Sequence, residues 1–324
     1  MDNKIKIHDT KVRVNLDGLA KVLPLLYEDW KKIGTRDKGI GRSKFTTWNN
    51  LQHFYDRNVM NKQDDGTVTV MATGSQSGST ARVYYTPSVT SLAKVFRKFI
   101  VPCNDQKVFA YADIKGAEFF LNCLFCNETE AINTYYMGGD IYMHYKGIFP
   151  AGCERPVIKQ ALIGYMYGLT PYTLAKKTGV SEAYAERMLM LIDRNLPKMR
   201  AAKHMRIEYA RTHNGYFCPA FENGKFNQDK LVKVADIDPK KGFQENLALS
   251  AYIQSALGEF MQNFIQDVEK RVDGTILTVF DSVFVEMWPD SIERFKNYLA
   301  KAWHPFLFDE VKTGKTMYEA QEGD

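Results

Sequence analysis

TILTVFDSVFVEMW, residues 275–288, reads as two β-strands joined by a tight Asp-Ser turn. Far upstream, VFAYADI (108–114) is a second β-rich apolar run, and it too ends beside an aspartate, Asp113. Between these strands the chain changes character. AEFFLNCLF (117–125) is helical in pattern, and roughly 127–235 is helix-dominated. There Ser181 is placed to cap a helix through AERMLMLIDRN, and Pro197 interrupts the pattern. A long helix is predicted from about 244 to 270, and SIERFKNYLAKAW (291–303) forms another amphipathic helix. Strands on both sides of a helical insertion make an α+β arrangement.

Further towards the N-terminus, GLAKVLPLLYEDWKKI (18–33) and residues 45–57 predict short helices on either side of a basic, glycine-containing loop at 31–44. That loop carries Lys31, Lys32, Arg36, Lys38, Arg42 and Lys44 against Asp37 alone. DDGTVTVMATGS (64–75) predicts a turn and a strand, followed by the Gly/Ser-rich SQSGST (75–80). An amphipathic segment then spans 92 to 102.

The 324 residues suffice for a sizeable core, and 45% hydrophobic with 25% charged content describes a folded chain rather than a disordered one. The net charge of +5 is concentrated: residues 1–50 hold eleven Lys/Arg against six Asp/Glu, and the rest balances. A basic loop of that kind suits phosphate contact, as it also suits a solvated surface. No apolar run approaches the roughly 20 residues needed to span a bilayer, and MDNKIKIHDT lacks the apolar core of a secretion signal. The expected location is cytoplasmic, and no membrane partner is expected. Five cysteines, Cys103, Cys123, Cys126, Cys153 and Cys218, sit mostly among apolar residues, which predicts reduced thiols. Cys123 and Cys126 form a CxxC without a second pair, so two half-buried helix cysteines are expected there rather than zinc ligands.

Asp113 and Asp281 lie next to strongly apolar residues, where an acid is locally expensive. Either alone is an ordinary turn residue. As a pair they match what phosphoryl transfer with two Mg²⁺ ions requires, carboxylates from separate elements that meet across a few ångströms. ERPVIKQALIGYMYG (154–168) supplies a counterpart. Arg155, Lys159, Ile163 and Tyr167 recur every four residues, a ladder of about 18 Å on one helix face. Two cations, an apolar side chain and an aromatic ring suit phosphates, sugar and base in that order. An ordinary amphipathic helix would also show such a ladder. However, cations in a first turn oppose the helix dipole and are easier to understand if an anion binds there.

These pieces, in this order, resemble DNA polymerase family A (DNA polymerase I-like) over about residues 65–290. VFAYADIKGAEFF resembles motif A, with Asp113 and Glu118. ERPVIKQALIGYMYG resembles motif B, the O helix. TVFDSVFVEM resembles motif C. ENLALSAYIQSALGEF resembles the palm helix that carries a template-reading Gln, here Gln254. GSTARVYYTP followed by VFRKFIVP resembles the segment before motif A, with Arg82 at the minor-groove arginine, and THNGYF (212–217) resembles the Gly-Tyr element after the fingers.

The resemblance implies a right-hand polymerase with an antiparallel-sheet palm, helical fingers and a reduced thumb. The expected divisions are 1–70 (basic region or reduced thumb), 71–126 (palm), 127–243 (fingers) and 244–324 (palm). It implies a template-directed DNA polymerase that extends a primer with dNTPs, in a compact, phage-type form without an exonuclease domain, with a separate exonuclease or processivity subunit as a candidate partner. It also implies two Mg²⁺ ions held by Asp113, Asp281 and the Ile114 carbonyl. Arg155 and Lys159 would bind the triphosphate, with Lys159 protonating pyrophosphate. Tyr167 would lie beside the templating base, Ile163 near the sugar and Tyr142 near phosphate. Glu118 would be the gate against a 2′-hydroxyl, and Arg82, Gln254 and Ser250 would face the DNA.

The sequence departs from the family pattern at several places. Ile163 stands for Phe or Tyr, Tyr142 for a phosphate-contacting His, Phe280 and Ser282 for His and Glu, Asn246 for Arg and Ser250 for Asn. The Asp281-Ser282 pair is closer to single-subunit RNA polymerases, the first alternative. A non-catalytic nucleic-acid-binding replication subunit is the second.

Overall fold

A computed structural model describes residues 6–34, 38–76, 82–87, 89, 94–302 and 305–322. The chain opens with strand β1 (Lys6–Asn15) and the helices α1 (Leu16–Gly34) and α2 (Lys38–Asn58). It continues through β2 (Thr67–Gln76), β3 (Val83–Thr86), a 3-10 turn at Lys94–Phe99 and β4 (Ile100–Val101). β5 (Val108–Asp113) leads into α3 (Ala117–Phe125) and α4 (Thr129–Tyr136), then a 3-10 turn at Met143–Ile148. Next come α5 (Arg155–Met166), α6 (Pro171–Thr178), α7 (Glu182–Asn195) and α8 (Pro197–Thr212). The hairpin β6 (Tyr216–Glu222) and β7 (Lys225–Ala235) precedes the long helix α9 (Glu245–Glu269). After it follow β8 (Ile276–Val279), β9 (Ser282–Met287), α10 (Ile292–Ala302), β10 (Lys312–Gly314) and α11 (Met317–Glu322).

Two antiparallel four-stranded sheets organise these elements, in the orders β3-β2-β1-β4 and β10-β5-β9-β8. The α+β expectation therefore holds. The second sheet is buried on both faces, which is why its strands read as unbroken apolar runs. On β5, Phe109 and Tyr111 face one core together with Leu277 and Phe284, packed against Val12, Val14 and the first sheet. Ala110 and Ala112 face the other core with Val283 and Val285, against α3 and α9. Small side chains on that face let the two helices lie close to the sheet. α9 follows suit, with Ala251, Ser255, Ala256 and Gly258 among its buried residues.

Several expectations need correction. β1 was not foreseen, because two of its inward positions are polar: His8 and Thr10 are buried on the same face as Val12 and Val14. Their partners explain the tolerance. His8 Nε2 lies 2.9 Å from the Tyr85 hydroxyl, and Thr10 Oγ1 accepts from the Ile276 backbone N–H at 3.0 Å. Since β1 pairs along its length with β2, a division at residue 70 cuts through a strand.

The expected basic loop at 31–44 is helical in its described parts, which close α1 and open α2; residues 35–37 lie outside the described residues. Glycine's low helix propensity had suggested a loop there. Most of SQSGST also lies outside. The β8–β9 turn is Phe280-Asp281 rather than Asp-Ser, because Val279 pairs directly with Ser282. Cys123 and Cys126 are fully rather than half buried, and all five cysteines are free thiols. No helix among the described residues is long and apolar enough to cross a membrane.

Candidate active site

Asp113 is the last residue of β5 and Asp281 the second residue of the β8–β9 turn. The strands are adjacent: Asp113 pairs in register with Ser282, and the Ile114 N–H donates to the Asp281 carbonyl at 3.2 Å. Two aspartates distant in sequence thus meet at one end of the central strands of the doubly buried sheet, lining a cleft of about 740 Å³. Burial pushes the Asp113 carboxyl up to about 7, the charges of Asp281 and Asp309 add to the shift, and Lys159 opposes it. Asp281 is also raised, by burial and by the charge of Glu118, against Arg82 and Lys159.

Two like charges held at a cost in a half-buried cleft are a donor set that a cation would relieve. Among the described residues no group of three or more His, Cys, Asp or Glu side chains could hold a metal. A metal here would rest on two carboxylates, a carbonyl such as that of Ile114, waters and a ligand's own oxygens. That is the habit of Mg²⁺ rather than of zinc or a caged calcium. The residues present fit such an ion.

Opposite the carboxylates runs α5. Arg155, Lys159, Ile163 and Tyr167 all line the cleft, so the four-residue ladder does turn one face towards the aspartates. Part of the dipole argument is answered within the protein. The Arg155 guanidinium donates to Asp140, whose other oxygen accepts from the backbone N–H of Tyr142 and Met143 at 2.9 and 3.2 Å. Asp140 is therefore an anion already in place for α5's first turn. Lys159 has no ion pair among the described residues. Its ammonium lies 5.4 Å from the centre of the Tyr142 ring, with the Arg155 guanidinium at 5.6 Å. Tyr142 stacks on Phe119 at 5.2 Å, which fixes this aromatic shelf. The shelf closes against Gly116, which starts α3 at φ 53°; a Cβ there would stand 3.3 Å from the Tyr142 hydroxyl.

A third group centres on Glu118, in the first turn of α3. Its Oε1 accepts from Arg82 Nη2 at 3.0 Å and from Gln254 Nε2 at 3.3 Å, joining residues from three separate segments of the chain. The Tyr167 hydroxyl is buried without a hydrogen bond of good geometry. Burial and the nearby Glu118 charge push its ionisation well above the usual tyrosine range. Ser250 does not join them. It sits one turn before Gln254 on α9, donates to the Leu247 carbonyl at 3.3 Å and lies outside the cleft lining. Sequence reasoning missed Lys115, Asp140, Lys177 and Asp309, all of which line the cleft. Asp309 reaches it because its backbone N–H bonds the Asp113 carbonyl at 2.8 Å, a tertiary contact with no signature in periodicity.

The profile of DNA polymerase family A matches residues 34–306 of this chain. DNA polymerase I of Chloroflexus aurantiacus is 23% identical over 235 residues, covering 68% of this chain and 24% of that protein. DNA polymerase theta of Caenorhabditis elegans is 23% identical over 190 residues, covering 56% of this chain and 11% of that protein. The chain thus spans a quarter or less of the length of these curated relatives. Among solved structures, the POL domain of Pol1 from M. smegmatis, in complex with DNA primer-template and dNTP, superposes with a TM-score of 0.68 at 16% identity. The match covers 96% of this chain and 68% of that one, and it shows a shared fold. With the profile extending over most of its length, the chain belongs to DNA polymerase family A.

Proposed function

We propose that this protein is a template-directed DNA polymerase that extends a primer with dNTPs, using two Mg²⁺ ions. The observation that carries the reading is the meeting of Asp113 and Asp281 with the cationic face of α5 in one cleft. A cleft that opposes paired acids to an Arg-Lys ladder suits a substrate with a polyphosphate at one end and a reacting hydroxyl at the other. Asp113, Asp281 and the Ile114 carbonyl would hold the ions. When bound, such ions neutralise charge on the phosphates and stabilise both the attacking and the leaving oxygens.

The chain's own groups do the rest. Arg155 and Lys159 bind the triphosphate, and Lys159 Nζ gives a proton to the departing pyrophosphate. The Tyr142 shelf holds both cations on the cleft side of α5. Ile163 packs beside the incoming nucleotide, and Tyr167 lies beside the templating base. Glu118 fills the space a ribose 2′-hydroxyl would need, and Arg82 and Gln254 contact the minor groove of the new pair. Minor-groove acceptors are shared by all correct pairs, so contact there tests shape rather than identity, as copying requires.

The test is primer extension on a defined template with Mg²⁺, offering dNTPs and rNTPs separately. Template-dependent extension with dNTPs is the expected result. Equal use of rNTPs would favour the RNA polymerase alternative, and inertness with both would favour the non-catalytic one.

A further inference from the structure

The turn that carries Asp281 contains a residue whose backbone and side chain are in conflict. Phe280 has φ 59°, a region that a residue with a Cβ enters only at an energetic cost, and two-residue hairpins of this form usually place glycine there. Burial does not compensate, since the side chain is 60% exposed and faces the cleft. The flanking strands impose the conformation. Val279 pairs with Ser282 across the turn, and the Ser282 hydroxyl donates to the Val279 carbonyl at 2.8 Å.

The ring has one close cation among the described residues, the Arg82 guanidinium at 4.7 Å from its centre. On its other side Arg82 donates to Glu118, and its charge also draws down the Asp281 carboxyl. A long, flexible cation is therefore clasped between a carboxylate and an aromatic face, beside the acids of the cleft.

We propose that Phe280 is a positioning residue for Arg82. The strained turn holds the ring out into the cleft, the ring face fixes the guanidinium, and Arg82 in turn meets the minor groove of the new pair. The inference rests on the polymerase reading and deepens it. An aliphatic side chain at 280 would offer bulk without an attractive face for a cation. Glycine would relax the turn and release Arg82.

The test is a double-mutant cycle of Phe280→Ala and Arg82→Ala, with Phe280→Gly and Phe280→Tyr alongside. It measures kcat and KM for extension of a matched primer-template and the melting temperature. Phe280→Ala is expected to lower kcat/KM about tenfold in the parental background and to add almost nothing in the Arg82→Ala background. Phe280→Tyr, which keeps the ring face, recovers most of the loss. Phe280→Gly is as impaired as Phe280→Ala yet melts no lower than the parental protein, a combination that a merely structural ring would not give. The inference is overturned if Phe280→Ala is as active as the parent, or if its loss is the same with and without Arg82. A parental protein that extends no primer at all would instead bring down the polymerase reading itself.

Discussion

The backbone N–H of Ile114 donates to the carbonyl oxygen of Asp281 at 3.2 Å, one residue beyond the last β5–β9 register pair. This bond ties the residue after one acid to the backbone of the other. The separation of the two acids' backbones is thus set by sheet geometry, and the backbones cannot part without unzipping β5 from β9.

Asp113→Asn and Asp281→Asn each keep the shape of the site and remove half of its charge. Each is expected to reduce extension by at least about a hundredfold while leaving primer-template affinity within a few-fold. Extension assays paired with a gel-shift measurement decide it; parental extension by either variant would remove that residue from the ion site.

The raised Asp113 pKa makes a stability claim. A carboxyl at about 7 in the folded chain, against 3.8 as its ordinary value, takes up protons on folding. Its contribution is complete below about 3.8 and is lost as pH rises through about 7. In chelator, Asp113→Asn should therefore melt higher than the parent at pH 8, with the gap closing towards pH 4. Adding Mg²⁺ at pH 8 should raise the parental melting point more than that of the variant. A gap of constant size across that range would refute the assignment.

His8 acts with the opposite sign. Burial lowers it to about 4 from 6.5. Its contribution is full above 6.5 and is lost as pH falls from there towards 4. His8→Gln, which stays neutral, should flatten that part of the melting curve. A parental pH dependence that survives in His8→Gln would show that another group is responsible.

Glu118→Ala removes the acceptor shared by Arg82 and Gln254 and, on the proposed reading, would open the space beside the sugar. Ribonucleotide incorporation is expected to rise about tenfold or more relative to dNTPs. Unchanged discrimination would place the gate on another residue.

Lys159→Ala should cost more than Arg155→Ala in kcat, because Arg155 already shares its charge with Asp140 whereas Lys159 has no ion pair among the described residues and faces the two acids across the cleft. Single-nucleotide kinetics that rank them the other way would assign the greater role to Arg155.

The site was more legible than the frame around it. Asp113, Asp281 and the α5 ladder are chemical signals, acids and cations among apolar neighbours at fixed spacing, and such signals survive in one dimension. β1 was hidden because His8 and Thr10 stand where its inward apolar residues should be, each satisfied by a partner far along the chain. Asp140 and Asp309 read as loop acids until the fold brings one to Arg155 and the other to Asp113. Ser250 lies one turn before Gln254 on α9, outside the cleft lining, a difference that helix periodicity alone does not reveal. The β8–β9 turn was misread by one position because its strained residue is a phenylalanine, where turn rules ask for glycine.

Because Ala110 and Ala112 face the buried core shared with α3 and α9, while Phe109 and Tyr111 face the other core, the amides of this strand are expected to be among the last to exchange with solvent. Asp113 is the last residue of that strand and Asp281 lies in the turn beside it, so both acids are anchored to ground expected to open late. A motion that admits a substrate is then expected to come from the cationic helix approaching them rather than from the acids moving towards it.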